Sequence, residues 1–480
     1  MNSEEFRAAA HRLVDWIADY RARTEALPVR AEVPPGWVKQ RLPAEPPREP
    51  ESLDAVFQDL EATLVPALTH WQHPRFFGYF PSNGELASVL GDFLSTGLGV
   101  LGLSWASSPA LSELEEVACD WLRQMLGLSE RWSGVIQDTA STSSLVALLC
   151  ARERASSFAL ARGGLQEHAA PLIVYCSAHA HSSVEKAALL AGFGREHLRK
   201  IACDASYALR PDALAEAIRE DLAAGRHPCA VVATTGTTAT TACDPLDAIA
   251  EVIEAHGLWL HVDAALAGSA MILPECRSLW HGIERADSLV ANPHKWLGVA
   301  FDCSTYYVRD PQHLVRVLGT NPSYLQSAAD GNVRNYRDWG IPLGRRFRAL
   351  KLWWLIREQG VQGLQQRLRR DLANARWLAE QVRATPPWRL LAPVPLQTLC
   401  LRHEPPGLAG EALDRHTLAW CERINASGHA YLTPAQLDGR WMVRVSIGAL
   451  LTEHRHVSDL WHLLRLEAVR TVPGTFSPGS

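Results

Sequence analysis

The sequence predicts an α/β fold: a mostly parallel central sheet in a large domain, then a smaller α+β C-terminal domain, with an N-terminal helical arm in front. Three observations carry this. Short apolar β-like runs alternate with helical stretches through the middle of the chain. The opening residues read as an amphipathic helix followed by a proline-rich connector. After about residue 345 the pattern changes to long helices with few strands.

In the first 27 residues, Phe6, Ala9, Ala10, Leu13, Ile17 and Tyr20 recur at helical spacing. Such a helix is too short to stand alone and needs a surface to pack on. Residues 28 to 50 carry seven prolines and should be extended, and a second helix is expected over roughly 52 to 70. Leu172–Tyr175, Ala230–Ala233, Leu258–Val262 and Thr305–Val308 are strand candidates. Ser183–Leu190, Pro211–Ala223 and Pro245–His256 are helices between them. Buried strands separated by helices imply a parallel sheet covered on both faces, with ligands at the carboxyl ends of the strands. A long helix is expected from near Arg345 to about Gln359, and Met442–Ile447 is the clearest late strand. The expected divisions are an arm over 1–84, a large domain over 85–355 and a small domain over 356–480.

Composition excludes more than it identifies. The chain has 480 residues, 47% hydrophobic and 21% charged, and a net charge of −5. That balance offers no electrostatic capture of nucleic acid. No run of 18 apolar residues suggests a membrane span, and the acidic start, Met1-Asn2-Ser3-Glu4-Glu5, is unlike a signal peptide. Ten cysteines without a CxxC pair fit reduced thiols in a cytoplasmic protein.

Five stretches carry candidate chemistry. Lys295, in Asn292-Pro293-His294-Lys295-Trp296, follows the apolar run Ser288–Val290 and so stands on a loop at a sheet edge. A buried lysine with a depressed pKa can attack a carbonyl, although a lone lysine is ordinarily a solvated charge. Asp263 ends the run Leu258–Val262; a carboxylate there can hold a proton on a pyridine nitrogen, or simply cap a helix. Ala264 and Ala265 would admit a flat ring. Ala140-Ser141-Thr142-Ser143-Ser144 precedes a helical run and could cradle a phosphate, or be an ordinary cap. His181 follows a strand and can stack on a ring or act as an acid; His179 beside it could suggest a metal, but no third ligand stands near, so none is expected. Thr234–Thr238 offers hydroxyls at the same edge, or a turn. The order is phosphate cap, histidine, threonine turn, aspartate, lysine, and all but the first directly follow an expected strand. That is the layout of fold-type I pyridoxal-phosphate (PLP) enzymes.

Longer matches make the likeness specific. They include Tyr79-Phe80-Pro81, Ser104–Ala110, Gly134–Gln137, His181–Glu185, His261–Pro274, Asn292–Trp296, Phe301–Ser304 and Ile341–Phe347. On these, spread over nearly the whole chain, the sequence closely resembles the group II PLP-dependent decarboxylases, nearest the aromatic-L-amino-acid decarboxylases. The resemblance implies that Lys295 binds the cofactor covalently with His294 beside it, and that Asp263 pairs with the pyridine nitrogen. It implies that Ala265 lines the ring, that His181 stacks on it, and that Ala140, Ser141 and Asn292 bind the phosphate. Thr238 matches a threonine near the ring and the substrate carboxylate. Tyr324 matches the tyrosine of a mobile loop that protonates the carbanion, and residues 319 to 335 carry Gly and Pro without periodicity. This loop is slightly shorter than in the family members it resembles.

The resemblance also implies a homodimer with shared sites, into which the N-terminal arm packs. Leu101 and Leu103 take positions of the pocket wall, and Trp71, Tyr79, Phe80 and Pro81 add apolar surface that would leave an acidic side chain without a partner. Gly344 matches a position where glycine goes with indole or catechol substrates, which favours tryptophan, 5-hydroxytryptophan or DOPA. Two rivals carry decarboxylase-like sequences: an aldehyde synthase, associated with phenylalanine at the loop tyrosine or asparagine at the stacking histidine, and a PLP-fold binding protein without catalysis. Tyr324, His181, Lys295 and Asp263 stand against both. An aminotransferase would use a small-domain arginine; Arg444 is a candidate but does not discriminate.

Overall fold

A computed structural model describes residues 1–167, 170–320 and 330–470. Two compact units are formed. One spans Ser82–Leu372 with the short segment Ala392–Thr398; the other joins Met1–Pro81 to Ala373–Leu391 and to the chain from Leu399 onward. The N-terminal segment therefore shares a unit with the C-terminal one.

The larger unit is built on a seven-stranded sheet. Its strands are β1 (Ser133–Gln137), β2 (Leu172–Ser177), β3 (Leu198–Ile201), β4 (His227–Thr234), β5 (Trp259–Asp263), β6 (Ser288–Ala291) and β7 (Ser304–Val308), in the spatial order β1-β7-β6-β5-β4-β2-β3. β7 runs antiparallel to both its neighbours, and the pairs β2–β3, β2–β4, β4–β5 and β5–β6 are parallel. The mostly parallel α/β sheet expected from sequence is the one observed. Every residue of β2, β5, β6 and β7 is buried, which is why these strands read as unbroken apolar runs rather than alternating ones. The helix Ala140–Ala155 packs Val146, Ala147, Leu148, Cys150 and Ala151 onto Val135, Val174, Val232 and Val308. Burying each such aliphatic side chain contributes about 1.5–3 kcal/mol.

The smaller unit holds the strands β8 (Trp388–Leu390), β9 (Thr398–His403), β10 (Thr433–Leu437) and β11 (Arg440–Ser446), in the order β10-β11-β9-β8. Helices Gly410–Ala426 and His454–Val469 accompany them. The N-terminal helix is Ser3–Arg23; Asn2 caps it, with the Glu5 carboxylate returning to the Asn2 amide. None of its residues is buried.

Two sequence expectations need correction. The proline connector is not wholly extended: Trp37–Arg41 forms one helical turn after the left-handed Gly36, within 36–42, the longest proline-free stretch of the connector. The expected helix over 52–70 is α-helical only over Leu53–Asp59, then widens to a π turn over Leu60–Leu64 and tightens to a 3-10 turn at Val65–Ala67, where Pro66 removes an amide donor. The long helix, expected from near Arg345 to about Gln359, starts at Ala349 and is interrupted at Gly360, whose φ of 63° and ψ of 165° are not helical; a second helical run follows to Ala384.

Candidate active site

Five strands deliver their carboxyl ends to one edge of the sheet. β5 ends in Asp263, and in register with it stands Thr234, the last residue of β4. β6 leads into Asn292, whose amide donates to the Ala265 carbonyl at 3.0 Å. β2 leads to His181, and β1 leads to the helix starting at Ala140. The sequence reading had only the last of these not following a strand. The run Ser133–Gln137 is in fact that strand; with Ser133, Gly134 and Gln137 in it, only Val135 and Ile136 give an apolar strand signal.

Ala140, Ala265 and Val290 are buried together, so the helix start adjoins the residue after Asp263. Thr139, preceding this helix, makes no side-chain cap, which leaves the first-turn amides of Ala140, Ser141 and Thr142 as donors outside the helix's own bonding. Asn292 is tied in from the other side: its Oδ1 accepts from the Ser304 hydroxyl at 2.6 Å, and Ser304 stands 3.5 Å from the Ser143 hydroxyl. Asp263 is buried, and its Oδ1 accepts the Ala265 amide at 3.0 Å.

Lys295 and His181 feel each other and Asp263 electrostatically. Burial lowers the Lys295 pKa from that of an ordinary lysine, and the Asp263 carboxylate acts in the opposite direction. Burial likewise lowers His181, with Asp263 raising and Lys295 lowering it. The Ser183 amide donates to His181 Nδ1 at 3.1 Å, so a neutral ring carries its proton on Nε2. His294 is buried and pushed down to about 3, chiefly by burial and then by Lys295; its Nδ1 accepts the Cys303 amide at 2.9 Å. Thr238 is half-buried in the turn closed by the Thr241 amide on the Thr237 carbonyl, and Trp280 braces that turn through Thr235 Oγ1 at 2.9 Å. Gly236 at φ 88° passes so close to Ala267 that an added Cβ would lie 2.5 Å from its methyl.

The expected pocket-wall residues divide between the units. Leu101 and Gly344 lie together in the larger one: a Cβ at Gly344 would stand 3.3 Å from Leu101 Cδ1. Leu103 is half-buried beside them in sequence. Trp71, Tyr79, Phe80 and Pro81 belong to the smaller unit, where Trp71 and Tyr79 stack at 5.4 Å and Arg444 lies 4.9 Å over the Phe80 ring. Tyr324 lies outside the described residues. Sequence reading missed Asn83, Ser304, Arg367 and Asp371. Ser304 closes the matched stretch Phe301–Ser304 but carried no assigned role, Asn83 sits in a stretch without motif signal, and Arg367 and Asp371 are charged residues that helical patterning assigns to solvent.

A desolvated lysine, a buried carboxylate, a neutral imidazole and open helix amides around one sheet edge suit PLP: an aldehyde for the amine, a pyridine nitrogen for the carboxylate, a phosphate for the amides. The class so defined is a PLP-dependent α/β enzyme. Residues 35–404 match the model of the pyridoxal-dependent decarboxylase conserved domain, and the chain belongs to that family. PLP is its cofactor and carboxy-lyase chemistry its reaction class. The chain is 40% identical to tryptophan decarboxylase 2 of Oryza sativa subsp. japonica, over 98% of this chain and 96% of that one. It is also 40% identical to phenylacetaldehyde synthase of Arabidopsis thaliana, over 98% and 96%. The solved structure of Oryza sativa TDC with PLP and tryptamine matches with a TM-score of 0.95 at 37% identity, covering 98% of both chains.

Proposed function

We propose that this chain decarboxylates aromatic L-amino acids, such as tryptophan, 5-hydroxytryptophan or DOPA, to the aromatic amine and carbon dioxide. The observation that carries the reading is the meeting of Lys295, Asp263 and His181 at one sheet edge in a chain of this family. Its 40% identity to a tryptophan decarboxylase supports the aromatic substrate class. Bound PLP supplies the electron sink for the pair left when the Cα–carboxylate bond breaks.

The chain's own residues do the rest. Lys295 holds the cofactor covalently, and burial, which lowers its pKa from that of an ordinary lysine, favours the uncharged nucleophilic amine. Asp263 holds the proton on the pyridine nitrogen. His181, oriented by Ser183, lies against the ring, and Ala265 lines it. The amides and hydroxyls of Ala140 and Ser141, with Asn292, take the phosphate; His294 stays neutral beside Lys295. Thr238 orients the substrate carboxylate. Leu101, Leu103, Gly344, Trp71, Tyr79, Phe80 and Pro81 form apolar walls that exclude water from the side chain. Tyr324 returns a proton to Cα.

The active species in this reading is a homodimer in the cytoplasm. The helix Leu86–Leu98 supports the dimer: its inner face is small (Ala87, Ser88, Gly91, Ser95), while Leu86, Leu90, Phe93, Leu94 and Leu98 make an outward stripe between 38% and 52% exposed. A bulky apolar stripe on the outer face is the reverse of a solvated helix and needs a cover. The ten unpaired cysteines support a reducing compartment.

A second reading is an aldehyde synthase, favoured by the 40% identity to phenylacetaldehyde synthase. One assay separates the two. Purified, PLP-loaded protein is given L-tryptophan, 5-hydroxy-L-tryptophan, L-DOPA, L-tyrosine, L-phenylalanine, L-histidine and L-glutamate in turn, and carbon dioxide, amine and peroxide are measured. Amine equal to carbon dioxide from aromatic substrates supports decarboxylation. Peroxide with little amine means the synthase, and no carbon dioxide from any substrate defeats both readings.

A further inference from the structure

The turn that carries Lys295 gives away its own hydrogen bonding. Pro293–Leu297 would be a single helical turn, but Lys295 leaves helical geometry at φ −96°, ψ −111°, and the left-handed Gly298 closes it. The carbonyls from Lys295 to Gly298 then face acceptor roles outside the turn. Each has a donor. Asn83 Nδ2 donates to the Lys295 carbonyl at 3.1 Å. Arg367 spans the next two, with Nη1 on the Trp296 carbonyl at 2.8 Å and Nη2 on the Leu297 carbonyl at 2.6 Å. The Glu85 amide takes the Gly298 carbonyl at 2.9 Å.

Two residues of one helix complete the grip. Arg367 and Asp371 are four apart on the helical run that follows Gly360 and so share a face. Asp371, fully buried, accepts the Trp296 indole N–H at 2.9 Å. Glu85 Oε1 lies 3.9 Å from Arg367 Nε, which ties the two donor segments together. A planar guanidinium is suited to this task because its two terminal nitrogens diverge at a fixed angle onto two neighbouring carbonyls; a lysine ammonium could not hold both directions.

We propose that Arg367, with Asn83 and Asp371, is a positioning unit for Lys295: it fixes the carbonyls of and beyond the lysine and thereby sets where the lysine amine stands relative to the cofactor. The inference rests on the reading of Lys295 as the PLP lysine. The unit acts only through the backbone and indole of the turn, so none of its members is a catalytic residue. Its consequence is that the exchange of the cofactor between Lys295 and substrate depends on a helix whose side chains do not belong to any recognised motif of the sequence.

The test uses full-length holoenzyme. Arg367→Met, Arg367→Lys and Asn83→Ala are compared with the native protein by titrating the visible band of lysine-bound PLP with pH, and by separating kcat from KM. The expected result is a shift of the band's titration midpoint by about 0.5 pH unit or more in the same direction for Arg367→Met and Asn83→Ala. With it goes a fall in kcat of about tenfold with KM within about twofold, partly restored in Arg367→Lys. A merely structural role would lower thermal stability without moving the midpoint, and that outcome overturns the proposal. If Arg367→Met does not fold, Asn83→Ala decides: an unmoved midpoint overturns the positioning unit. A native protein whose spectrum equals that of Lys295→Ala overturns the lysine reading and the proposal with it. A native lysine-bound band that all three variants leave unmoved overturns the proposal alone.

Discussion

At the scale of single residues, each site group is defined by what its neighbours do to its charge. Burial takes Lys295 down while Asp263 partly holds it up, so the pair works as one electrostatic unit. Lys295→Ala is expected to lose the visible band of lysine-bound PLP and all measurable turnover; a persisting band by absorbance spectroscopy would refute the assignment. Asp263→Ala removes the carboxylate proposed for the pyridine nitrogen, and kcat should fall on the order of 10²-fold or more. Near-native steady-state rates would sink that role. Tyr324→Phe is expected to divert product from amine towards aldehyde, because a phenyl ring cannot return the proton. An unchanged amine yield by chromatography would remove the tyrosine from the mechanism.

At the scale of elements, the helix Leu86–Leu98 makes the sharpest demands. Its inner face is so close to the helix that starts at Ala349 that a Cβ on Gly91 would lie 2.7 Å from Lys351 Cα and 2.9 Å from the Leu350 carbonyl oxygen. Those are backbone atoms, which cannot turn aside as a side chain can. Gly91→Ala should cost about 1–3 kcal/mol, read as a lowered denaturant midpoint. A midpoint equal to that of the native protein would mean the two helices separate easily. The outer face of the same helix carries the exposed stripe. Leu90→Asp, which puts a charge in the middle of it, should shift sedimentation velocity from dimer to monomer and reduce turnover with it. A dimer that survives this change would place the interface elsewhere.

At the scale of the whole molecule, buried titratable groups set the response to acid. His73, His261 and His403 are each pushed down to about 4, all chiefly by burial. The unfolded chain takes up protons on them near pH 6.5 while the folded chain refuses them until about 4, so stability is present above 6.5 and is lost as pH falls through that window. Asp244 and Asp371 act oppositely. Burial raises both to about 6, so their contribution is full below about 4 and is lost as pH rises towards 6. Three histidines outweigh two aspartates, and their window reaches higher. The thermal midpoint should therefore fall between pH 7 and pH 5; calorimetry showing a level or rising midpoint over that range would contradict the histidine account.

The order of chemistry along the chain was legible in the sequence because strand ends in a parallel sheet all face one edge. Once Leu172–Tyr175, Ala230–Ala233 and Leu258–Val262 are read as buried strands, His181, the threonine turn and Asp263 must lie near one another. Helix limits were read less well over the stretch 52–70, where a π turn and then a proline act through local geometry that periodicity does not register. The sequence by itself determined the α/β class, the cofactor chemistry and the family, since those depend on residue type and order. Only the tertiary structure decided which groups support Lys295. Asn83 lies far along the chain from Arg367 and Asp371, and these two are charged residues on a helix face that solvent would ordinarily claim. Their roles exist because packing removes that face from water, and a buried guanidinium must then spend its donors on the carbonyls nearest to it.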